Sequence, residues 1–162
     1  MTTSLKPDWA FLRRHPAHFI AFGFGSGLAR KAPGTWGTLV ALPLAALWMG
    51  TGLSATLLLA ACVPLFVLGC WVCEVTGRAL GVHDYGGIVF DEIVAMLAVL
   101  ALAPPTALGW LVAFLLFRLF DIAKPWPIRW VDSKVHGGFG VMVDDVLAAV
   151  MAAIVMRLLP PM

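Results

Sequence analysis

The chain has 162 residues, of which 61% are apolar and only 12% are charged, with a formal net charge of +2. A typical soluble domain is less apolar and carries about twice this fraction of charged residues. The composition therefore excludes a disordered chain and an ordinary soluble enzyme. The small net charge also argues against nucleic acid as a partner. It indicates a small membrane protein with several apolar helices.

Two long stretches contain no Asp, Glu, Lys or Arg: 42 residues between Lys31 and Glu74, and 25 between Glu92 and Arg118. A membrane-spanning helix needs about 20 mostly apolar residues. The first stretch is divided at Gly50-Thr51-Gly52 and the second at Pro104-Pro105, which predicts two helices in each, and a fifth helix lies near the C-terminus. We expect helices over residues 35–50, 54–73, 88–103, 106–120 and 143–158.

The sequence thus predicts an all-α, polytopic membrane bundle of about five short transmembrane or half-spanning helices, with glycine- and proline-rich cytoplasmic loops. Residues 1–162 form a single domain. The segment before the first helix is expected to lie at the membrane interface, with Trp9, Phe11 and Phe19 at headgroup depth. Cys62, Cys70 and Cys73 are expected to be buried thiols rather than metal ligands.

Basic residues predict the orientation of these helices. With five spans, one side of the membrane carries all but one of the Lys and Arg residues, and the other side carries only Arg157. Cytoplasmic loops are enriched in Lys and Arg. The N-terminus and the loops after the second and fourth helices are therefore expected to face the cytoplasm.

Five carboxylates lie at the predicted cytoplasmic ends of three helices. One pair opens the third helix, a second pair opens the fifth, and a single acid closes the fourth: Asp91, Glu92, Asp144, Asp145 and Asp121. The helix dipole alone could explain an acidic pair at a helix N-terminus, but it disfavours Asp121 at a C-terminus. Several hard oxygen ligands on one face suit Mg²⁺. We therefore predict a Mg²⁺ site formed by these five acids.

Two basic residues accompany the acids. Arg118 precedes Asp121 by three residues on the same helix face, and Lys124 stands before Pro125, where the helix should end. These cations could bind a phosphate beside the metal, or could anchor the helix end at the interface. The backbone of Gly34 and the hydroxyl of Thr35 could bind phosphate at the start of the first helix, or Thr35 could simply cap that helix.

Three blocks of the sequence resemble one family. They are GFGSGLARKAPGTWGTL (23–39), GVHDYGGIVFDEIV (81–94) and FRLFDIAKPWPIRWVDSKVHGGFGVMVDDVLA (117–148). Together they resemble the phosphatidylglycerophosphatase A family of the bacterial inner membrane. The resemblance implies a Mg²⁺-dependent lipid phosphatase that converts phosphatidylglycerophosphate to phosphatidylglycerol and phosphate at the cytoplasmic face, surrounded by membrane lipids. It also implies that the five acids match the family's characteristic acids. Further residues of these blocks that could support the site are His83, Asp84, Arg129, Asp132 and His136.

The residues leave several alternatives open. The acids could line the pathway of a non-enzymatic ion or solute carrier, although a carrier more often places acids at mid-helix. In a phosphatase, one or two metal ions could activate water, with an acid or His136 accepting the proton, or an aspartate could attack the phosphorus directly.

Overall fold

The computed structural model describes residues 6–82 and 84–160, and this part of the chain is helical and contains no strand. In chain order the α-helices are α1 (Trp9–Leu12), α2 (Pro16–Ala21), α3 (Pro33–Gly50), α4 (Ala55–Leu80), α5 (Phe90–Leu102), α6 (Ala107–Ala123), α7 (Ile128–Lys134) and α8 (Gly137–Leu158), with a 3₁₀ helix at Gly23–Leu28 between α2 and α3. The five predicted helices correspond to α3, α4, α5, α6 and α8. The prediction of an all-helical chain is confirmed.

Two helix boundaries differ clearly from the predictions. Helix α4 continues to Leu80 instead of ending near residue 73, and its last turns contain an ion pair between Glu74 and Arg78 at 2.6 Å. Helix α8 begins at Gly137, six residues earlier than expected. Both helices therefore extend beyond their purely apolar segments. They continue towards the end of the molecule that carries the acids.

The helix ends follow local chemistry. The hydroxyl oxygen of Ser54 accepts a hydrogen bond from the Leu57 amide at 3.2 Å and caps α4, and Thr106 caps α6 through the Gly109 amide at 2.9 Å. Lys124 ends α6 in the left-handed conformation, with φ of 41°. Helix α6 thus runs three residues past the predicted bound at residue 120 and ends before Lys124, as expected from the following Pro125.

Helix α5 lies at the centre of the bundle and packs against α3, α4 and α8, and α6 packs mainly on α8. Helix α5 has 13 residues, and nine of these are buried. Small residues allow α4 and α8 to approach each other closely. A Cβ atom on Gly138 would lie 1.9 Å from the carbonyl oxygen of Cys70, so only glycine fits there.

The outer surface of the bundle is apolar. Helices α4 and α8 are long and apolar enough to cross a membrane by their length and composition. Helix α6 exposes a continuous stripe, with more than half of each side chain accessible: Leu108, Leu111, Leu115, Leu119 and Ile122. A contiguous exposed apolar surface of this kind suits a lipid environment. These features agree with the predicted all-α membrane fold.

The N-terminal segment agrees with the interfacial prediction only in part. Trp9 and Phe19 are exposed, with 52% and 39% of their surface accessible. Phe11 is instead buried and stacks on His18, with 4.4 Å between ring centroids, because α1 packs on α2, which itself packs on α4. Cys62 and Cys73 are buried as expected, and Cys70 is half-buried.

Candidate active site

The first acidic pair lies where the sequence places it. Asp91 and Glu92 are in the first turn of α5, directly after the N-cap residue Val89 and the first helical residue Phe90. The Val89 amide donates to the carbonyl oxygen of Ala21 at 2.8 Å, which fixes the start of α5 against α2. The positive end of the helix dipole therefore favours both carboxylates.

The second pair does not open its helix, contrary to the prediction. Because α8 begins at Gly137, Asp144 and Asp145 lie two turns inside it, and its first turn contains no acid. Both are buried, with 6% and 4% of their surface accessible. The helix dipole acts mainly within the first turn and so does not account for them. Buried carboxylates of this kind need a cation or hydrogen-bond donors.

Three of the five acids converge. One carboxylate oxygen each from Asp91, Glu92 and Asp145 lie within 4.8 Å of one another. Among the described residues, Oδ1 of Asp91, Oε2 of Glu92 and Oδ2 of Asp145 are buried and have no hydrogen-bond partner. Three converging carboxylates, each with an unpartnered oxygen, fit a divalent cation such as Mg²⁺. We call these three residues the carboxylate cluster.

Arg118 extends the cluster towards α3. Its Nη1 pairs with Asp121 of the same helix, lies 3.8 Å from Oε1 of Glu92 and donates to Oγ1 of Thr38 at 3.5 Å. Asp121 is thus held by a cation, as its position at a helix C-terminus requires. The guanidinium is only 14% exposed and faces the cluster, so it is available to a phosphate bound there.

Gly34 and Thr38 form the wall opposite Arg118. A Cβ atom on Gly34 would lie 2.2 Å from Oε1 of Glu92 and 3.2 Å from Nη1 of Arg118. Thr38 is fully buried and donates to the Gly34 carbonyl oxygen at 2.8 Å. The sequence analysis missed Thr38. The available signal was its four-residue spacing from Gly34, which places both on one face of α3.

Lys124 connects Asp144 to Asp132. Its Nζ donates to Oδ1 of Asp132 at 2.6 Å and to Oδ2 of Asp144 at 2.5 Å. Burial alone would lower the pKa of this ammonium, but the two carboxylates outweigh that effect and raise the pKa above its ordinary value. Lys124 is therefore charged and holds Asp144 beside the cluster residue Asp145.

The remaining predicted site residues are not part of the carboxylate cluster. Thr35 is half-buried in the first turn of α3 and does not cap it, because the N-cap residue is Ala32. Asp84, Arg129 and His136 are exposed, and His136 immediately precedes α8. His83 lies outside the described residues.

A second residue that the sequence analysis missed connects α4 to α8. Oε2 of Glu74 accepts a hydrogen bond from the Gly138 amide at 2.7 Å, near the start of α8. This contact satisfies one of the amides that a helix N-terminus leaves without an intrahelical partner. The signal in the sequence was an isolated acid at the end of a 42-residue uncharged stretch.

Comparisons with known proteins identify the family of this chain. Residues 19–160 match the family model described as phosphatidylglycerophosphatase A. A phosphatidylglycerophosphatase A of Haemophilus influenzae is 49% identical over 142 residues, covering 87% of this chain and 86% of the relative. Its counterpart from Escherichia coli is 43% identical over 141 residues, covering 86% and 80%. No solved structure matches the chain. The chain belongs to the phosphatidylglycerophosphatase A family.

Proposed function

We propose that this protein hydrolyses the terminal phosphomonoester of phosphatidylglycerophosphate and releases phosphatidylglycerol and phosphate. The substrate follows from the names of the two relatives and of the family. The observation that carries the proposal is the carboxylate cluster, with its three unpartnered oxygens next to a nearly buried arginine. An anionic cluster beside a cation suits a phosphate held between a metal ion and a guanidinium.

We propose Mg²⁺ as the metal and Asp91, Glu92 and Asp145 as its protein ligands. When bound, the ion would stabilise negative charge on the phosphate oxygens and lower the pKa of a bound water. The three ligands come from two helices, α5 and α8, that pack directly against each other. Their relative positions are therefore set by the core of the bundle, as a preorganised site requires.

The other site residues are proposed to bind and orient. Arg118 neutralises phosphate charge through its guanidinium, and Asp121 and Thr38 hold that group in place. Lys124 holds Asp144 through a 2.5 Å ion pair, which fixes the turn of α8 that carries Asp145. Gly34 leaves room at Glu92 and Arg118 that any side chain would fill.

We place the reaction at the cytoplasmic face of a bacterial inner membrane. The basic residues at the acid-bearing end of the helices support this orientation. The exposed leucine stripe of α6 and the length of α4 and α8 support the membrane location.

The test is phosphate release from phosphatidylglycerophosphate by the purified protein in detergent. Thorough chelation with EDTA should abolish release, and added Mg²⁺ should restore it, because hard oxygen sites bind hard cations reversibly. Undiminished turnover after chelation would contradict the metal site. A folded protein that releases no phosphate from this lipid at any Mg²⁺ concentration would contradict the proposed function.

A further inference from the structure

A cavity lies beside the candidate active site. It has a volume of about 870 Å³ and is enclosed by the N-terminal segment, the 3₁₀ helix, the start of α3 and the loop before α5. Its volume falls in the range typical of small-ligand sites. None of the five acids lines it. The proposed reaction therefore leaves it without a role.

Two basic side chains line this cavity, Lys6 and Arg30. Neither has an ion-pair partner within residues 6–82 and 84–160. One acid, Asp8, also lines the cavity, but its Oδ1 accepts a hydrogen bond from the Phe11 amide at 2.8 Å and caps α1. The cavity is therefore net positive, with two cations available to an anionic ligand.

The lining of the cavity comes within one residue of the wall of the candidate active site. Pro33 lines the cavity and precedes Gly34, whose missing side chain makes room for Glu92 and Arg118. Gly87 lines it four residues before Asp91. Gly27 and Gly87 press their backbones together there, since a Cβ atom on Gly27 would lie 2.0 Å from the Gly87 carbonyl oxygen. The cavity and the carboxylate cluster are therefore neighbours, close enough for two groups of one ligand to occupy both.

Exposed aromatic residues surround the same region. Trp9 and Phe24 are 52% and 48% accessible, and Trp36, one turn beyond Pro33, is 54% accessible. Aromatic side chains of this kind concentrate at the depth of the lipid headgroups. The cavity therefore lies at the depth where the phosphodiester of a membrane lipid is found.

We propose that this cavity binds the bridging phosphodiester of the lipid substrate, with Arg30 and Lys6 as its cationic contacts. The inference rests on the proposed function, because phosphatidylglycerophosphate carries two phosphates joined by glycerol. Its terminal phosphate is held at the carboxylate cluster and Arg118, and its phosphodiester is held in the cavity. Binding both groups selects a lipid with two phosphates over one with a single phosphomonoester.

The test uses Arg30→Gln, with Lys31→Gln as the matched control. Lys31 is the neighbouring cation, is exposed and does not line the cavity. Activity on phosphatidylglycerophosphate is measured in neutral detergent micelles with two inhibitors. Phosphatidylglycerol carries only the phosphodiester, and inorganic phosphate competes only for the terminal phosphate position.

We expect Arg30→Gln to raise KM, and the inhibition constant of phosphatidylglycerol, about tenfold, the effect of losing one charge-assisted hydrogen bond. The inhibition constant of inorganic phosphate and kcat should stay unchanged, and Lys31→Gln should alter none of these values. Lys6→Gln should act in the same direction as Arg30→Gln.

Three results would overturn the inference: equal effects of the two variants, an Arg30→Gln effect confined to inorganic phosphate, or a wild-type enzyme that phosphatidylglycerol does not inhibit. All three need an enzyme that is active on phosphatidylglycerophosphate. An inactive wild-type protein instead contradicts the proposed function itself.

Discussion

Two adjacent acidic pairs, Asp91-Glu92 and Asp144-Asp145, look alike in the sequence but occupy different positions in the structure. The first pair is in the opening turn of α5, and the second lies two turns inside α8. The dipole of α5 favours the first pair; for an exposed acid at a helix N-terminus this effect is about 0.3–1 kcal/mol. The dipole of α8 has little effect on the second pair, because the effect is confined to the first turn.

The two acids of the second pair differ in the partners that offset their charge. Asp144 is neutralised by Lys124, whereas Oδ2 of its neighbour Asp145 has no hydrogen-bond partner in the described part of the chain. A buried charge without a partner destabilises a fold. Of the two acids in this turn of α8, Asp145 is therefore the one that a bound cation would stabilise more.

The largest expected effect is that of Asp145→Asn. We expect kcat/KM to fall by roughly 10²–10³, the effect of losing one preorganised electrostatic contact. Without metal, the variant should melt at a higher temperature than the wild type, because the change relieves repulsion with the neighbouring carboxyl groups of Asp91 and Asp121. Added Mg²⁺ should raise the melting temperature of the wild type and have less effect on the variant.

Asp144→Asn is the matched comparison in the same turn of α8. It leaves the carboxylate cluster intact, so the melting temperature should still rise with Mg²⁺. Without metal, the variant should be less stable than the wild type, since Lys124 loses one of its two partners. Equal responses of the two variants would remove the distinction between these neighbouring acids.

The next effect tests Asp121, which acts on the first pair through Arg118. We expect Asp121→Asn to lower kcat/KM at least ~100-fold, because Arg118 loses the carboxylate that orients it towards Glu92. If Asp121 were only an acid at a helix C-terminus, the same change would stabilise the protein by roughly 0.3–1 kcal/mol and leave activity intact. Kinetics and thermal melting of one preparation decide between these outcomes.

The smallest effect is expected at Thr38, which lies across from Arg118. Thr38→Val keeps the side-chain shape but removes the hydroxyl that accepts from Arg118. We expect kcat/KM to fall about three- to tenfold, the effect of losing one long hydrogen bond. Thr38→Ser keeps the hydroxyl and should retain most of the activity. A serine variant as impaired as the valine variant would indicate a packing role instead.

Apolar spacing was sufficient to predict the five main helices, since two long uncharged stretches leave few other arrangements. It failed at the start of α8, because Gly137-Gly138-Phe139-Gly140 reads as a loop by glycine propensity. Gly138 is helical nonetheless, since its missing side chain lets α8 contact the Cys70 carbonyl oxygen of α4. Such a tertiary contact leaves no periodic signal in the sequence.

The candidate acids could be chosen from the sequence, but their grouping could not. The position of all five at predicted cytoplasmic helix ends made them candidates, yet only packing between α5 and α8 separates Asp91, Glu92 and Asp145 from the other two. The pairing of Lys124 with Asp132 and Asp144 depends on how α7 folds back on α8, which spacing along the chain does not reveal. Thr38 was missed because a buried hydroxyl on an apolar helix resembles an ordinary core residue.

The turn between α5 and α6 has few backbone amides that need a hydrogen-bond partner. Helix α5 has 13 residues and so rises only about 20 Å, less than the roughly 30 Å thickness of a hydrocarbon layer. The turn that follows it is therefore expected to meet lipid instead of water. Pro104 and Pro105 have no amide hydrogen, and the Thr106 amide donates to the Pro104 carbonyl oxygen at 2.7 Å. The chain can thus reverse direction within the bilayer without exposing those amides to lipid, as a backbone surrounded by hydrocarbon requires.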